Sequence, residues 1–410
     1  MKILFIHQNF PAQFKNLAPE LVKNGHDVYA LIPSQNRVRA SKDENGVTLL
    51  TYAIKRSSTK DIHPWVVDFE TKIIRAEAAL EEAQRLCESG FYPDTIIAHP
   101  GWGESLFLKK VWKRASLKLY CEYYYRDVGQ DTGFDKEFSV SDFKAASRLA
   151  IKNLVFDMHY KEATGFLSPT YWQASTFPSD IRDNIQVTHD GIDTSWLRPN
   201  DNAVMQFESG LKISKKDKVL TFVSRNLEPH RGFHIFMRCI ENLLLNIPDL
   251  YIVILGAERK GYGPLPKGHR SWKEKLEVEL KGRGFEVPSD RVFFLGSVSY
   301  ERYIQVLQIS SVHLYLTYPF VLSWSLLEAM SIGCCVVASD TAPVREVIKD
   351  GYNGVLVDFF SASQIVSVIQ KLLTDQEMIN KLGVNARKSV VAEYDLEIKC
   401  LPKLVNWAIS

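Results

Sequence analysis

A chain of 410 residues that is 46% hydrophobic, 11% aromatic and 24% charged is too apolar to remain unfolded and too long for one ordinary core, so two domains are expected. Its 50 basic and 48 acidic residues leave a formal charge of +2, which excludes the strongly cationic profile of a nucleic-acid protein. No run approaches the roughly 20 apolar residues needed to span a bilayer, and MKILFIHQNF lacks a signal peptide's longer apolar region and cleavage site. Cys87, Cys121, Cys239, Cys334, Cys335 and Cys400 show no metal-ligand spacing, so a reduced, cytoplasmic chain without metal is predicted.

In chain order, Lys2–Ile6 reads as a buried strand, the segment after Pro11 as a helix closed by Gly25, and Val28–Ile32 as a second strand. Continuous apolar strands alternating with helical patterns predict a parallel sheet covered on both faces. Further strands are expected at Thr95–Ala98, Leu117–Cys121, Gly165–Leu167 and Ile185–Val187. A polar stretch, Pro199–Lys218, interrupts the alternation. It resumes at Val219–Val223, Tyr251–Leu255, Val292–Leu295, Val312–Leu316, Cys335–Ala338 and Val355–Val357. The expected architecture is therefore α/β, two Rossmann-like doubly wound domains facing each other across a cleft. Their predicted bounds are 1–198 and 199–385, with a C-terminal helical segment over 386–410 that packs back on the first domain. Leu106–Lys118 carries five basic residues beside an apolar stripe. It reads as an amphipathic helix, with a solvated basic face or a peripheral contact with the inner face of a membrane.

The segment most informative about chemistry runs from Tyr318 to Asp340. Ser323 suits a helix N-cap, Trp324–Met330 a helix, and Gly333 its stop. A helix N-terminus at the end of a strand offers N–H groups and a positive dipole end to a diphosphate. In Phe222-Val-Ser-Arg225-Asn-Leu-Glu-Pro-His-Arg231-Gly232 a strand ends at Arg225 and a helix follows Gly232, which places two arginines at one strand end.

These blocks resemble the retaining GT-B glycosyltransferases with a C-terminal E-x7-E motif, the group 1 or family 4-like enzymes. Glu328-Ala-Met-Ser-Ile-Gly matches the second half of that motif, and Pro343-Val-Arg-Glu-Val-Ile-Lys-Asp-Gly351-Tyr-Asn-Gly354 matches the family's segment downstream of the motif. The resemblance implies that Glu328 holds the donor ribose, that Arg225 and Arg231 clamp the diphosphate, and that Val298 and Gly256 lie in nucleotide-contacting loops. Phe320 replaces the motif's first Glu, the residue associated with the donor sugar, and Val321 and Ser323 replace the turn glycines. The family also places a His beside the donor sugar, which implies that role for His99. On the acceptor side Phe14, Trp102 and Glu104 are candidates, with Trp102 and Glu104 also reading as loop packing and surface charge.

The implied reaction moves a sugar from a nucleotide diphosphate to a glycan, lipid-linked or other acceptor, with retention and without a metal or cofactor. Alternatives are a GT-B nucleotide-sugar epimerase, a phosphorylase, and a non-catalytic nucleotide-sugar-binding protein. A dinucleotide-dependent oxidoreductase is opposed by the missing G-x-G-x-x-G after the first strand.

Overall fold

A computed structural model describes residues 1–34, 41–138 and 143–410. The chain divides into two compact units, Met1–Gly191 with Glu397–Ser410, and Ile192–Leu396. The chain passes from one unit to the other at 191/192 and returns at 396/397. At these passages Ile192 pairs with Asp395, and Thr194 Oγ1 donates to the Asp395 carboxylate.

The first unit holds β1 (Lys2–Ile6), β2 (Asp27–Pro33), β3 (Ser41–Lys42), β4 (Thr48–Tyr52), β5 (Thr95–Ala98), β6 (Ser116–Tyr120), β7 (Gly165–Ser168) and β8 (Ile185–Val187). Their spatial order is β3-β4-β2-β1-β5-β6-β7-β8, parallel except for β3 against β4. Helix Leu401–Ile409 belongs to this unit, where Leu404, Trp407 and Ala408 join the core of Ile3, Phe5, Leu17 and Leu21.

The second unit begins with a hairpin, β9 (Val204–Gln206) and β10 (Lys212–Ser214), inside the stretch read as an interruption. Met205, Phe207 and Ile213 are buried in it, with Val204 and Gln206 turned outward. A parallel sheet comes next, of β11 (Lys218–Asn226), β12 (Leu250–Ala257), β13 (Val292–Phe294), β14 (Val312–Tyr315), β15 (Cys335–Ser339) and β16 (Val355–Val357). Its order is β13-β12-β11-β14-β15-β16. Helix Phe233–Asn246 leads from β11 to β12, and helix Trp324–Ile332 from β14 to β15.

The amphipathic helix expected over Leu106–Lys118 is not formed. Only Leu108–Val111 is helical, and Ser116 already opens β6. Lys118 is 3% exposed and its ammonium donates to the carbonyls of Trp407 and Ser410, while Trp112 is buried and donates to Phe91 O. Lys118 is therefore no part of a basic surface, while Lys110, Lys113 and Arg114 stay exposed outside any long helix. No helix among the described residues is long and apolar enough to cross a membrane. All six cysteines are free thiols, five of them buried.

Helix Gln376–Glu393 crosses the end of helix Trp324–Ile332 where a Cβ on Gly383 would lie 2.3 Å from Gly333 O. Ala at a helical Gly gains about 1 kcal/mol of propensity, but overpacking against backbone that cannot rotate away costs about 1–3 kcal/mol. Gly383→Ala is therefore expected to lower the urea midpoint of the second unit; a raised midpoint contradicts this packing.

Candidate functional site

Parallel strands put all their carboxyl ends at one edge, and a crevice opens where consecutive connections leave to opposite sides. In the second unit that reversal falls between β11 and β14. β11 delivers Arg225, and the turn Pro229–Arg231 delivers Arg231. Gly232 makes the turn feasible. Its φ is +69°, and a Cβ there would lie 2.2 Å from Leu316 Cβ, in the chain leaving β14.

The two arginines are held differently. Arg231 is 8% exposed and donates from Nη1 to Thr317 Oγ1 at 2.8 Å and Val321 O at 3.3 Å. The Tyr262 and Phe320 rings lie 5.5 and 6.0 Å from its guanidinium carbon. Burial works against its charge, but Tyr315, Tyr262 and Glu228 outweigh it and hold the pKa above its ordinary value. Arg225 is exposed and makes no hydrogen bond or ion pair among the described residues. One cation is fixed and the other is free to meet a ligand.

Phe320 is 5% exposed and stacks edge-on against Tyr262 at 4.8 Å, so the half-exposed Tyr262 ring is what the site presents there. Tyr262 is set by a residue that sequence reasoning did not single out. Glu228, 2% exposed, accepts the Gly263 N–H at 3.1 Å. A Cβ on Gly261 would collide with the Glu228 carboxylate at 2.2 Å, so glycine alone lets the loop rest on it. Neither Glu228 nor Tyr262 belongs to a local pattern; Gly261-Tyr-Gly263 is the only signal.

Helix Trp324–Ile332 starts beside this turn. Ser323 caps it, its side chain accepting Ser325 N–H at 3.3 Å, and Ser323 N–H donates to Tyr315 OH at 3.1 Å. Trp324 is half-buried at the first helical position. Glu328 is 7% exposed and already engaged, because Tyr300 OH and Tyr303 OH each donate to one carboxylate oxygen at 2.6 Å. A carboxylate has about four lone-pair sites, so two remain for ribose hydroxyls. Val298 lines a cleft of about 920 Å³ with Phe207, Phe293, Leu295 and Arg302. Gly256 is buried, and a Cβ there would lie 2.6 Å from the Leu227 side chain and 2.9 Å from Ser224 O.

In the first unit the reversal falls between β1 and β5. His7 comes directly after β1, and Trp102 Nε1–H and Asn9 N–H approach its two ring nitrogens at 3.2 and 3.0 Å. Burial, then the neighbouring His99, lowers its pKa to about 3, so the ring is neutral. His99 is 5% exposed, packed over Tyr120 at 5.8 Å, and its Nε2 lies 3.3 Å from Glu122 Oε2. Its Nδ1 is buried without a partner among the described residues, with Gly101 close against the ring. The member that reaches solvent is Glu122, one-third exposed, whose other oxygen accepts from Gln13 Nε2 at 3.1 Å. Burial pushes its pKa up, but the bonds from His99 and Gln13 outweigh this and keep it low.

The acceptor-side candidates separate. Trp102 stays half-buried at this edge. Phe14 is 2% exposed in the core, packed on Phe5 at 4.9 Å. Glu104 is 1% exposed, accepts from Tyr52 OH at 3.1 Å, and has its pKa raised by burial. The side chains of Phe14 and Glu104 are spent on internal packing, and Glu122 occupies the exposed place.

Two α/β units with polar groups gathered at the reversal of each parallel sheet define a chain of the GT-B fold class. The fold is similar to sucrose-phosphate synthase from Thermosynechococcus elongatus, with a TM-score of 0.70 and 16% identity over 97% of this chain and 96% of that one. It is also similar to Anabaena HepE in complex with UDP-glucose, at 0.67 and 14% over 100% and 98%. Residues 24–197 match the model of the glycosyl transferase family 4 group and residues 206–389 that of the glycosyl transferases group 1, so the chain belongs to the glycosyltransferases. Among curated proteins it is 26% identical to D-inositol 3-phosphate glycosyltransferase of Nocardia farcinica over 50% of this chain and 43% of that protein. It is 31% identical to an uncharacterized glycosyltransferase of Methanocaldococcus jannaschii over 36% of this chain and 41% of that one. The matched region thus spans less than half the length of these two relatives.

Burial holds His7 near pKa 3 and His159, His189 and His313 near 4, against the usual 6.5. The unfolded chain then binds protons that the folded chain refuses, so this contribution is complete above pH 6.5 and is lost as pH falls toward 4. The urea midpoint is expected to drop between pH 7.5 and 5.5; a midpoint that holds or rises contradicts neutral buried rings.

Proposed function

We propose that the chain transfers a hexosyl group from a nucleoside diphosphate sugar to a hydroxyl of an acceptor held by the first unit. The observation that carries this reading is the pair Arg225 and Arg231 at the β11–β14 reversal, beside the capped N-terminus of helix Trp324–Ile332. HepE, of similar fold, forms a complex with UDP-glucose, which supports a uridine diphosphate donor. Glu328 receives the ribose hydroxyls, with Tyr300 and Tyr303 fixing its orientation.

In the step itself the acceptor oxygen bonds to the anomeric carbon as the bond from that carbon to the diphosphate oxygen breaks. The departing diphosphate takes the acceptor's proton. Negative charge grows on the leaving group, and cations already in place stabilise it without reorganisation. Arg231 cannot swing away, and Arg225 is unpaired among the described residues, so the two supply the role a metal fills elsewhere. Phe320 removes the carboxylate most like a second catalytic acid, which favours attack on the face the leaving group vacates and retention of configuration.

The test is a thermal-shift series with UDP, GDP, ADP, TDP and CDP in EDTA, on wild type, Arg225→Ala and Glu328→Ala. A ligand at 100 times its Kd adds about 2.7 kcal/mol of stability. One nucleotide is expected to stabilise wild type, and both variants to lose most of that gain. Arg225→Ala should keep its ligand-free stability within about 0.5 kcal/mol, as exposed substitutions do. No stabilisation by any nucleotide, or equal stabilisation of the variants, rejects this donor site.

A further inference from the structure

The carboxyl edge of the first unit carries more than the His7–His99 pair. Glu122 stands at the end of β6, and the next loop is locked to it: Gln173 Nε2, from helix Tyr171–Ser175 after β7, donates to Glu122 O at 2.8 Å. That contact brings the half-buried Trp172 to 5.9 Å from Tyr123, whose ring lies 5.0 Å from Tyr125. After β5, Trp102 packs at 5.7 Å from His99, the partner of Glu122. A one-third-exposed carboxylate and aromatic rings from three neighbouring strand ends therefore share this edge.

This combination has a specific chemical complement. A pyranose offers a face of C–H groups that packs on aromatic rings and an edge of hydroxyls that a carboxylate accepts from. Charge narrows the choice further. Among the described residues the Glu122 carboxylate is bonded only by His99 and Gln13, with no lysine or arginine paired to it. His7 beside it is neutral. The Lys152 ammonium lies over the Tyr125 ring at 3.4 Å and not on Glu122. A phosphate brought to Glu122 therefore meets an anion that no cation among the described residues is bonded to, and like charges at short range in a partly buried site repel strongly. The curated relatives include enzymes named for D-inositol 3-phosphate, an anionic acceptor, so the distinction is a real one.

We propose that the first unit takes a neutral pyranoside as acceptor, held by Glu122 through its hydroxyls and by Trp172 through its apolar face, and that Glu122 excludes phosphorylated acceptors. The proposal rests on the transferase reading above. Glu122 is here a specificity-determining residue, and no local motif points to it.

The experiment is saturation-transfer NMR on the full chain with methyl α- and β-glucopyranoside, methyl α-mannopyranoside and methyl β-galactopyranoside. Glucose 1-phosphate and D-inositol 3-phosphate complete the series. Wild type, Glu122→Gln and Trp172→Ala are compared, with circular dichroism confirming that each variant folds. Wild type is expected to bind at least one neutral pyranoside and neither phosphate. Trp172→Ala should weaken the pyranoside about tenfold, and Glu122→Gln about tenfold through loss of a charge-assisted hydrogen bond. Glu122→Gln should also admit a phosphorylated compound. Both variants keep the nucleotide-induced thermal shift of wild type, because that site lies in the second unit. Binding of the phosphates by wild type, no binding of any pyranoside, or indifference to both substitutions overturns the proposal. Pyranoside binding without any nucleotide shift leaves it standing and removes the donor reading instead.

Discussion

Everything functional in this molecule depends on parallel strands sharing one direction. Parallel pairing brings every carboxyl end to one edge, and a right-handed connection returns each chain outside the sheet. Where the connections diverge, between β11 and β14 and between β1 and β5, no crossing segment fills the edge. The groups delivered there are the ones able to meet a ligand. Each unit thus acquires its site from topology before any side chain is chosen.

Side-chain chemistry then makes the two edges different. The second unit gathers cations and helix-terminal N–H groups, with Arg231 kept charged in an aromatic surround against the cost of burial. A buried cation is tolerated only when its neighbours are arranged for it, and Thr317, Val321, Tyr262 and Glu228 are that arrangement. The first unit gathers aromatic rings, the neutral His7 and the Glu122 carboxylate. A cationic edge suits a departing diphosphate, and an edge of hydroxyl acceptors and ring faces suits the group that attacks.

Much of this was legible in the sequence, for identifiable reasons. Buried parallel strands are continuous apolar runs, and every strand expected from such a run is present in the fold. Arg225, Arg231, Ser323 and Glu328 lie near strand ends or helix starts, where local pattern and position coincide. What escaped depends on distant partners. Lys118 looked like part of a basic helical face because its acceptors, Trp407 O and Ser410 O, lie 289 and 292 residues away. The β9–β10 hairpin hid in a polar stretch whose alternation at Val204-Met-Gln-Phe207 was masked by its composition. Glu122 and Glu228 carry no local signature, since loops from Gln13 and Gly263 give them their roles. The coarse fold is set by short-range patterning, and the site's finer chemistry by long-range contact.

The most direct test of the central claim, that the β11–β14 reversal is the donor site, is hydrogen exchange on the intact chain with and without saturating UDP. The account predicts slowed exchange in residues 224–233 and 316–330, with residues 95–105 of the first unit unchanged by the nucleotide alone. Stabilisation by UDP without protection in those two segments, or protection confined to the first unit, would contradict it.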